Sequence, residues 1–489
     1  MRRVPGSVVT LLVLMLMMVS LAAVAAANQE KSLKDKIDEI VKAEAKYDLF
    51  SGAVLVAHEG EVIYSAAVGY ADMDHQVKNA LNTKFNIGSI GKCYTATLIM
   101  QLAQQGKIKL TDPLSKFLPD FPHPEKDKIQ IQHLLNHSSG LDNYMGHKDY
   151  ECKMHTLRRI SDVLPLIYDQ EILFQAGERF SYSNSGMVLL GAVIEKVTGT
   201  EYKDYLRQQI LDPLGMADSG IVYADEVVLN RATGYRKLPD NGGYSVQVFG
   251  EPPAFSDGGL YSTVEDMLKF DQALYGEELL SEEYKQIMFT PVGPSQTYGF
   301  GWGVWELSGT KAIGHNGGCP GFNAEFRRFP EMGYTLIILS NYDGGADWLA
   351  QTINSALLGL DYAVATEFDL NFRQGFILQA TGDYRKSIEY FAKNIRGDQP
   401  HLPSLYQSAR SRIVGQFEQA EAIAELDRYI ELADENAEPS VAAAWWRKGV
   451  AYEQLQQVDE AIECYKKSLE LDPNFPQAKE SLERLEEKK

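Results

Sequence analysis

Residues 52–57 and 62–68 are short apolar, β-branched runs on either side of His58-Glu59-Gly60, which predicts a β-hairpin. Four more runs of this kind lie near 301–306, 311–315, 323–328 and 335–340, far away in sequence. One antiparallel sheet assembled from both ends, with the intervening helices as a separate lobe, is the economical arrangement. In that middle stretch the period becomes helical: Met187, Leu190, Gly191, Ile194 and Val197 share one face, and Ser262-Thr263-Val264-Glu265 has the form of a capping box ahead of Met267 and Phe270. Residues 28–360 are therefore expected to form an α+β domain. After about Glu367 the strand signal stops and helix formers dominate, so 366–489 is expected to be an all-α domain.

This last region repeats. Trp445, Gly449, Tyr452, Ala461, Tyr465 and Pro473 fall at positions 4, 8, 11, 20, 24 and 32 of a 34-residue frame, which resembles the tetratricopeptide repeat. Gly375, Gly382, Ser387 and Phe391 suit an earlier copy, and Gly415 with Ala420 a degenerate middle one, giving three helix pairs, enough for a small solenoid. Trp445 and Tyr452 are expected to pack as core. Such a module suggests a protein partner. At the other end, Arg2 and Arg3 precede an apolar run over 8–27 that closes on three alanines, the form of a secretory signal peptide over 1–27. The chain is expected to be exported, periplasmic or secreted, or anchored if the leader stays uncleaved, with no membrane span after cleavage.

The chain has 489 residues, several times the usual domain length of ~150, and its 45% apolar content excludes a largely disordered protein. A net charge of -20 disfavours nucleic acid as a partner. The four cysteines, Cys93, Cys152, Cys319 and Cys464, form no C-x-x-C pair, and free buried thiols are expected over a Cys93–Cys319 disulfide. His133 and His137 stand four apart, but no third ligand is evident, so no metal is expected and they read as loop anchors beside a helix end at Ser138-Ser139-Gly140.

Three segments can carry chemistry. In Ser89-Ile90-Gly91-Lys92 a hydroxyl and an amine lie one helical turn apart, so the lysine can activate the serine as a nucleophile. In Tyr182-Ser183-Asn184 the phenol and the amide project to the same side of an extended turn. A phenol near an ammonium can act as base or acid, and the amide can bind a substrate carbonyl or hold Lys92. In His315-Asn316-Gly317-Gly318 the imidazole and Gly317 share a strand face, and Gly317 admits a close backbone approach. Each alone also fits a bland role: a cap, a packed tyrosine, a structural histidine.

Together, in this order, they resemble the serine β-lactamase and penicillin-binding family, with its S-x-x-K, Tyr-x-Asn and Lys/His-x-Gly elements, and most closely its class C branch. Similar to that branch as well are His133-Leu134-Leu135-Asn136-His137-Ser138-Ser139-Gly140-Leu141, Asp212-Pro213-Leu214-Gly215-Met216 and Gly258-Gly259-Leu260-Tyr261-Ser262-Thr263, so that the likeness spans about 45–345. The resemblance implies a β-lactamase/transpeptidase-like fold and acyl transfer through Ser89, with Lys92 and Tyr182 sharing the proton work. It further implies substrate binding by Asn184, His315, Gly317 and Gly318, an oxyanion hole from the main-chain N–H groups of Ser89 and Gly318, and no cofactor. The expected substrate is a small molecule or peptide, a D-amino-acid peptide or a small ester. Histidine stands at 315 where class C β-lactamases carry lysine, so carboxylate-bearing β-lactams should bind less well. The rival readings are a β-lactamase and a catalytically silent cell-wall or peptide binder with a repeat scaffold.

Overall fold

A computed structural model of the chain describes residues 31–486 except 222, 224, 225, 239–242, 248–251, 398, 435 and 436. The expected leader over 1–27, with Arg2 and Arg3, lies outside the described residues. Strands β1 (Gly52–His58) and β2 (Glu61–Val68) form the hairpin; β3 (Gly303–Leu307), β4 (Thr310–Cys319), β5 (Phe322–Phe329) and β6 (Tyr334–Ser340) come from the far end. They join in one antiparallel sheet of order β2-β1-β6-β5-β4-β3, closed by the pairing of Gly52 with Ser340 through His58 with Tyr334.

Strand alternation sorts the side chains onto two cores. Ala53, Leu55, Ile337, Leu339 and Ile313 face the helical lobe, while Val54, Val56, Leu336, Ile338 and Ala312 pack under helices Leu33–Lys46 and Asp347–Leu357. Both faces of β1 are thus buried, which is why its sequence reads as a continuous apolar run. By the same parity as Ile313, His315 and Gly317 point at the helical lobe.

That lobe contains helices α1 (Gly91–Gln104), α2 (Asn184–Thr198) and α3 (Val264–Ala273). The expected cap of α3 is displaced by one residue. Thr263, not Ser262, is the N-cap, its side chain accepting from Asp266 N at 3.2 Å. Ser262 is held instead in a two-residue strand opposite Phe85, its hydroxyl 2.7 Å from that of Ser219.

The chain divides into two compact units, with Phe50–Lys237 and Tyr244–Val364 in the first and Ala365–Lys489 in the second. Within the second, helices pair as Asp369–Ala380 with Tyr384–Asn394, Leu402–Val414 with Gln419–Leu432, and Val441–Gln454 with Val458–Leu471, followed by Pro476–Glu486. Gly449 and Gly375 let each pair close. A Cβ at Gly449 would lie 2.4 Å from the Tyr465 ring, and one at Gly375 2.6 Å from the Phe391 ring. Two expectations need correction. Ala420 is exposed, and Gly415 ends its helix with the Phe417 ring against it, a Cβ there lying 2.3 Å from that ring, while the middle pair packs through Ala409 and Ala422. Tyr452 is half-buried and packs against the Tyr465 cluster as expected, but Trp445, half-buried with Lys448 Nζ over its ring, does not join it, and Trp446 packs there instead. Gly449→Ala should cost about 1–3 kcal/mol by overpacking against Tyr465, read as a lower denaturant midpoint of the full-length chain.

Candidate active site

Ser89 occupies a 3-10 turn, Gly88–Ile90, directly before α1. The turn is fixed by short-range bonds: Asn86 Oδ1 accepts from Gly88 N at 2.9 Å, and Leu260 O accepts from Ile87 N at 2.9 Å. Gly88 has φ +50, and a Cβ there would meet the main-chain nitrogen of Gly318 at 2.6 Å. On the same junction, a Cβ at Gly317 would lie 1.9 Å from Ile87 O and 3.3 Å from Ser89 N. The turn and β4 therefore touch through backbone alone. Among the described residues β3 pairs with β4 only as far as Gly314, so His315–Cys319 present a strand edge that no other strand covers on that side.

Lys92, in the first turn of α1, is fully buried. Its Nζ donates to Ser89 Oγ at 2.9 Å and to the main-chain oxygen of Asp257. The Tyr182 ring centroid lies 4.9 Å from the same Nζ, and Tyr182 is 39% exposed, so its phenol edges an open cleft. Ser183 is extended and caps α2, its hydroxyl accepting from Gly186 N at 3.3 Å, which places Asn184 at the first helical position. The Asn184 amide does not reach Lys92. It donates to Asn143 Oδ1 at 3.4 Å and Met145 Sδ at 3.5 Å, while Lys92 is held by Ser89 and the Asp257 loop.

His315 is 4% exposed and both its ring nitrogens are engaged. Nδ1 is 2.5 Å from Asn316 O, an atom that only accepts, so Nδ1 carries the hydrogen; Nε2 then accepts from Tyr298 Oη at 2.9 Å. Tyr298 Oη is also 3.2 Å from His137 Nε2, and His137 Nδ1 accepts from Ser183 N at 3.3 Å. Every donor in this chain is thereby assigned: Ser183 N–H to His137, His137 to Tyr298, Tyr298 to His315, His315 to Asn316. The chain requires both imidazoles neutral and the phenol protonated. Burial, reinforced by the Lys92 charge, pushes His315 down to about 4 and His137 well below the ordinary imidazole range; burial also lifts the Tyr298 phenol. His315 thus carries no charge at neutral pH and keeps no free nitrogen for a substrate. Through Tyr298 and His137 it braces β4 against the Tyr182 loop.

The structure thus brings Ser89, Lys92, Tyr182, Gly317 and Gly318 to one junction and sets Asn184 at its side. His137, read from the sequence only as a loop anchor, belongs to the same junction, as do Tyr298 and the Asp257 loop, which the sequence motifs do not single out. His133 stands apart, its Nδ1 accepting from Gln130 N at 3.2 Å. Among the described residues no group of three His, Cys, Asp or Glu side chains is placed to hold a metal, and no helix is long and apolar enough to cross a membrane. All four cysteines are free thiols; Cys93 and Cys464 are buried, Cys319 is half-buried and Cys152 is exposed.

The family model described as Beta-lactamase matches residues 33–359, and that of the tetratricopeptide repeat matches 442–475. Penicillin-binding protein 4* of Bacillus subtilis (strain 168) is 32% identical over 337 residues, covering 64% of this chain and 74% of its own. The solved structure of a penicillin binding protein from Bacillus halodurans superposes with a TM-score of 0.60 at 31% identity, over 65% of this chain and 98% of that one. A D-stereospecific amidohydrolase from Streptomyces sp. superposes with a TM-score of 0.58 at 27% identity, over 66% and 98% respectively.

Proposed function

This chain belongs to the beta-lactamase family of serine hydrolases, and from that premise we propose an exported enzyme that cleaves an amide or ester, of a D-amino-acid peptide or a small ester, through an acyl-enzyme on Ser89. The observation that carries this reading is the 2.9 Å bond between Lys92 Nζ and Ser89 Oγ beneath Tyr182. Ser89 Oγ attacks the substrate carbonyl carbon while its proton passes to the Tyr182–Lys92 pair. In this reading the N–H groups of Ser89 and Gly318, on the serine turn and β4 where the two touch through backbone, receive the oxyanion. Collapse breaks the bond to the amine or alcohol, which leaves with the proton, and water then frees the acyl group. The preference for D-residues rests on the Streptomyces amidohydrolase, and export rests on residues 1–27 alone. The repeats are proposed to take a protein or peptide partner. A fluorophosphonate adduct located on Ser89 by mass spectrometry tests the nucleophile; an adduct on any other residue removes Ser89 from that role.

A neutral His315 sets the substrate class. A lysine at this place gives a permanent charge for a substrate carboxylate, whereas this imidazole is uncharged above about pH 4 and committed to Tyr298 and Asn316. Turnover of neutral esters should therefore exceed acylation by penicillins. His315→Lys should shift the ratio of penicillin to ester acylation rates upward by roughly tenfold or more, because a new ion pair of ~1.4 kcal/mol corresponds to that factor. Efficient penicillin hydrolysis by the unsubstituted protein at neutral pH would restore the β-lactamase reading. A silent binder has no use for a buried lysine joined to an available serine.

A further inference from the structure

Behind Lys92 lies an acidic side chain that none of the three motifs contains. Asp257, in the loop ahead of Gly258-Gly259, is 3% exposed. Its Oδ2 accepts from Tyr144 Oη at 3.1 Å, and its main-chain oxygen accepts from Lys92 Nζ. Tyr144 is itself fixed to the second motif, its main-chain N–H donating to Ser185 Oγ at 2.8 Å. The titratable groups facing this carboxyl are Lys92 on α1, Tyr144 in the turn Tyr144–Gly146, Tyr150 on helix Tyr150–Lys153 and Tyr202 on helix Tyr202–Leu206. Burial raises all three phenols, so at neutral pH they are uncharged and Lys92 is the cation of the group. A buried carboxylate is costly unless its partners, here the Tyr144 hydroxyl, its own main-chain N–H and the Lys92 charge, hold it as an anion.

We propose that Asp257 is a positioning residue for acylation: its carboxylate, held by Tyr144, is the counter-charge that steadies Lys92 Nζ against Ser89 Oγ within the Tyr182–Lys92 pair that takes the serine proton. The proposal rests on the acyl-transfer reading above. Burial pushes the Asp257 carboxyl up to about 6, against the opposing pull of the Lys92 charge and the Tyr144 hydrogen bond. Above that pH the counter-charge is present; as pH falls through about 6 it is lost, and Lys92 loses what balances it.

The test is the rate at which a fluorophosphonate labels Ser89 in the full-length chain between about pH 5 and about pH 8. In that reaction the Oγ–P bond forms, the P–F bond breaks, and fluoride leaves with the hydroxyl proton relayed through the Tyr182–Lys92 pair. The unsubstituted protein should show an acid limb near pH 6. Asp257→Asn should label more slowly, by roughly 10- to 100-fold at neutral pH, and show no limb there. Tyr144→Phe removes a donor from the carboxylate, so its limb should persist and move to higher pH, a displacement that a purely structural role does not produce. Retention of the limb near pH 6 in Asp257→Asn, or an unmoved limb in Tyr144→Phe, overturns the proposal while the nucleophile stands. Absence of Ser89 labelling in the unsubstituted protein at every pH overturns both.

Discussion

Ser89→Ala is expected to lower turnover of any ester or amide substrate by about 10^4- to 10^6-fold and to leave the fold intact. The size of the effect follows from the position. Ser89 supplies the hydroxyl that Lys92 Nζ addresses at 2.9 Å, and it is half-buried. Removing one oxygen leaves the Gly88–Ile90 turn unchanged, because that turn is held by Asn86 and Leu260. The ammonium keeps its bond to Asp257 O but loses an acceptor, costing about 1 kcal/mol of stability. The measurement is steady-state hydrolysis of a chromogenic ester beside a thermal melt. A melt lowered by only about 2–4 °C with turnover gone is the expected pair of results. Activity that survives undiminished would place the nucleophile elsewhere.

The regular parts of this site are legible in the sequence because they obey simple periods. Ser89 and Lys92 meet by helical spacing, and His315 and Gly317 face the lobe by strand parity carried forward from Ile313. The six-stranded sheet follows from six apolar runs, with no end shifted by more than four residues. What periods do not encode is irregular backbone. Tyr298 reaches His315 and His137 because the segment around it is threaded tightly between other elements: Gly301 N donates to Leu135 O, and a Cβ at Gly301 would meet Ala96 and the Lys92 backbone. Before folding, that tyrosine is one of 26. Asp257 followed by two glycines reads as a turn, and only burial beside Lys92 gives it another meaning. The engagement of both His315 nitrogens is equally hidden, since it depends on a phenol 17 positions away. In the repeat unit, Trp445 fits the frame yet stays half-buried, because the small residue that admits close packing, Gly449, receives the Tyr465 ring instead.

Gly317→Ala is expected to cut the rate of Ser89 labelling by about 10^2- to 10^3-fold, with loss of the same order in hydrolysis. The added methyl would lie 1.9 Å from Ile87 O, whereas an ordinary carbon–oxygen contact is about 3.3 Å. The strand edge and the serine turn must therefore separate by more than about 1 Å. Neither side can yield by a rotamer change, since both are main chain: Ile87 N is tied to Leu260 O, and β4 is laddered to β5 from Ile313 to Cys319. In the proposed mechanism, where the N–H groups of Ser89 and Gly318 receive the oxyanion, separation of the two main-chain segments weakens that stabilisation. The neighbouring change, Gly318→Ala, places its Cβ where no atom lies within 4 Å, so it should lose much less. Comparing the two variants separates backbone approach from the bulk of one methyl group. Because nothing in the Lys92–Ser89 bond is altered directly, the loss in Gly317→Ala should fall on the rate of acylation, while the pH at which labelling declines stays where it is in the unsubstituted protein. Equal rates for the two alanine variants would show that the oxyanion is stabilised by other groups.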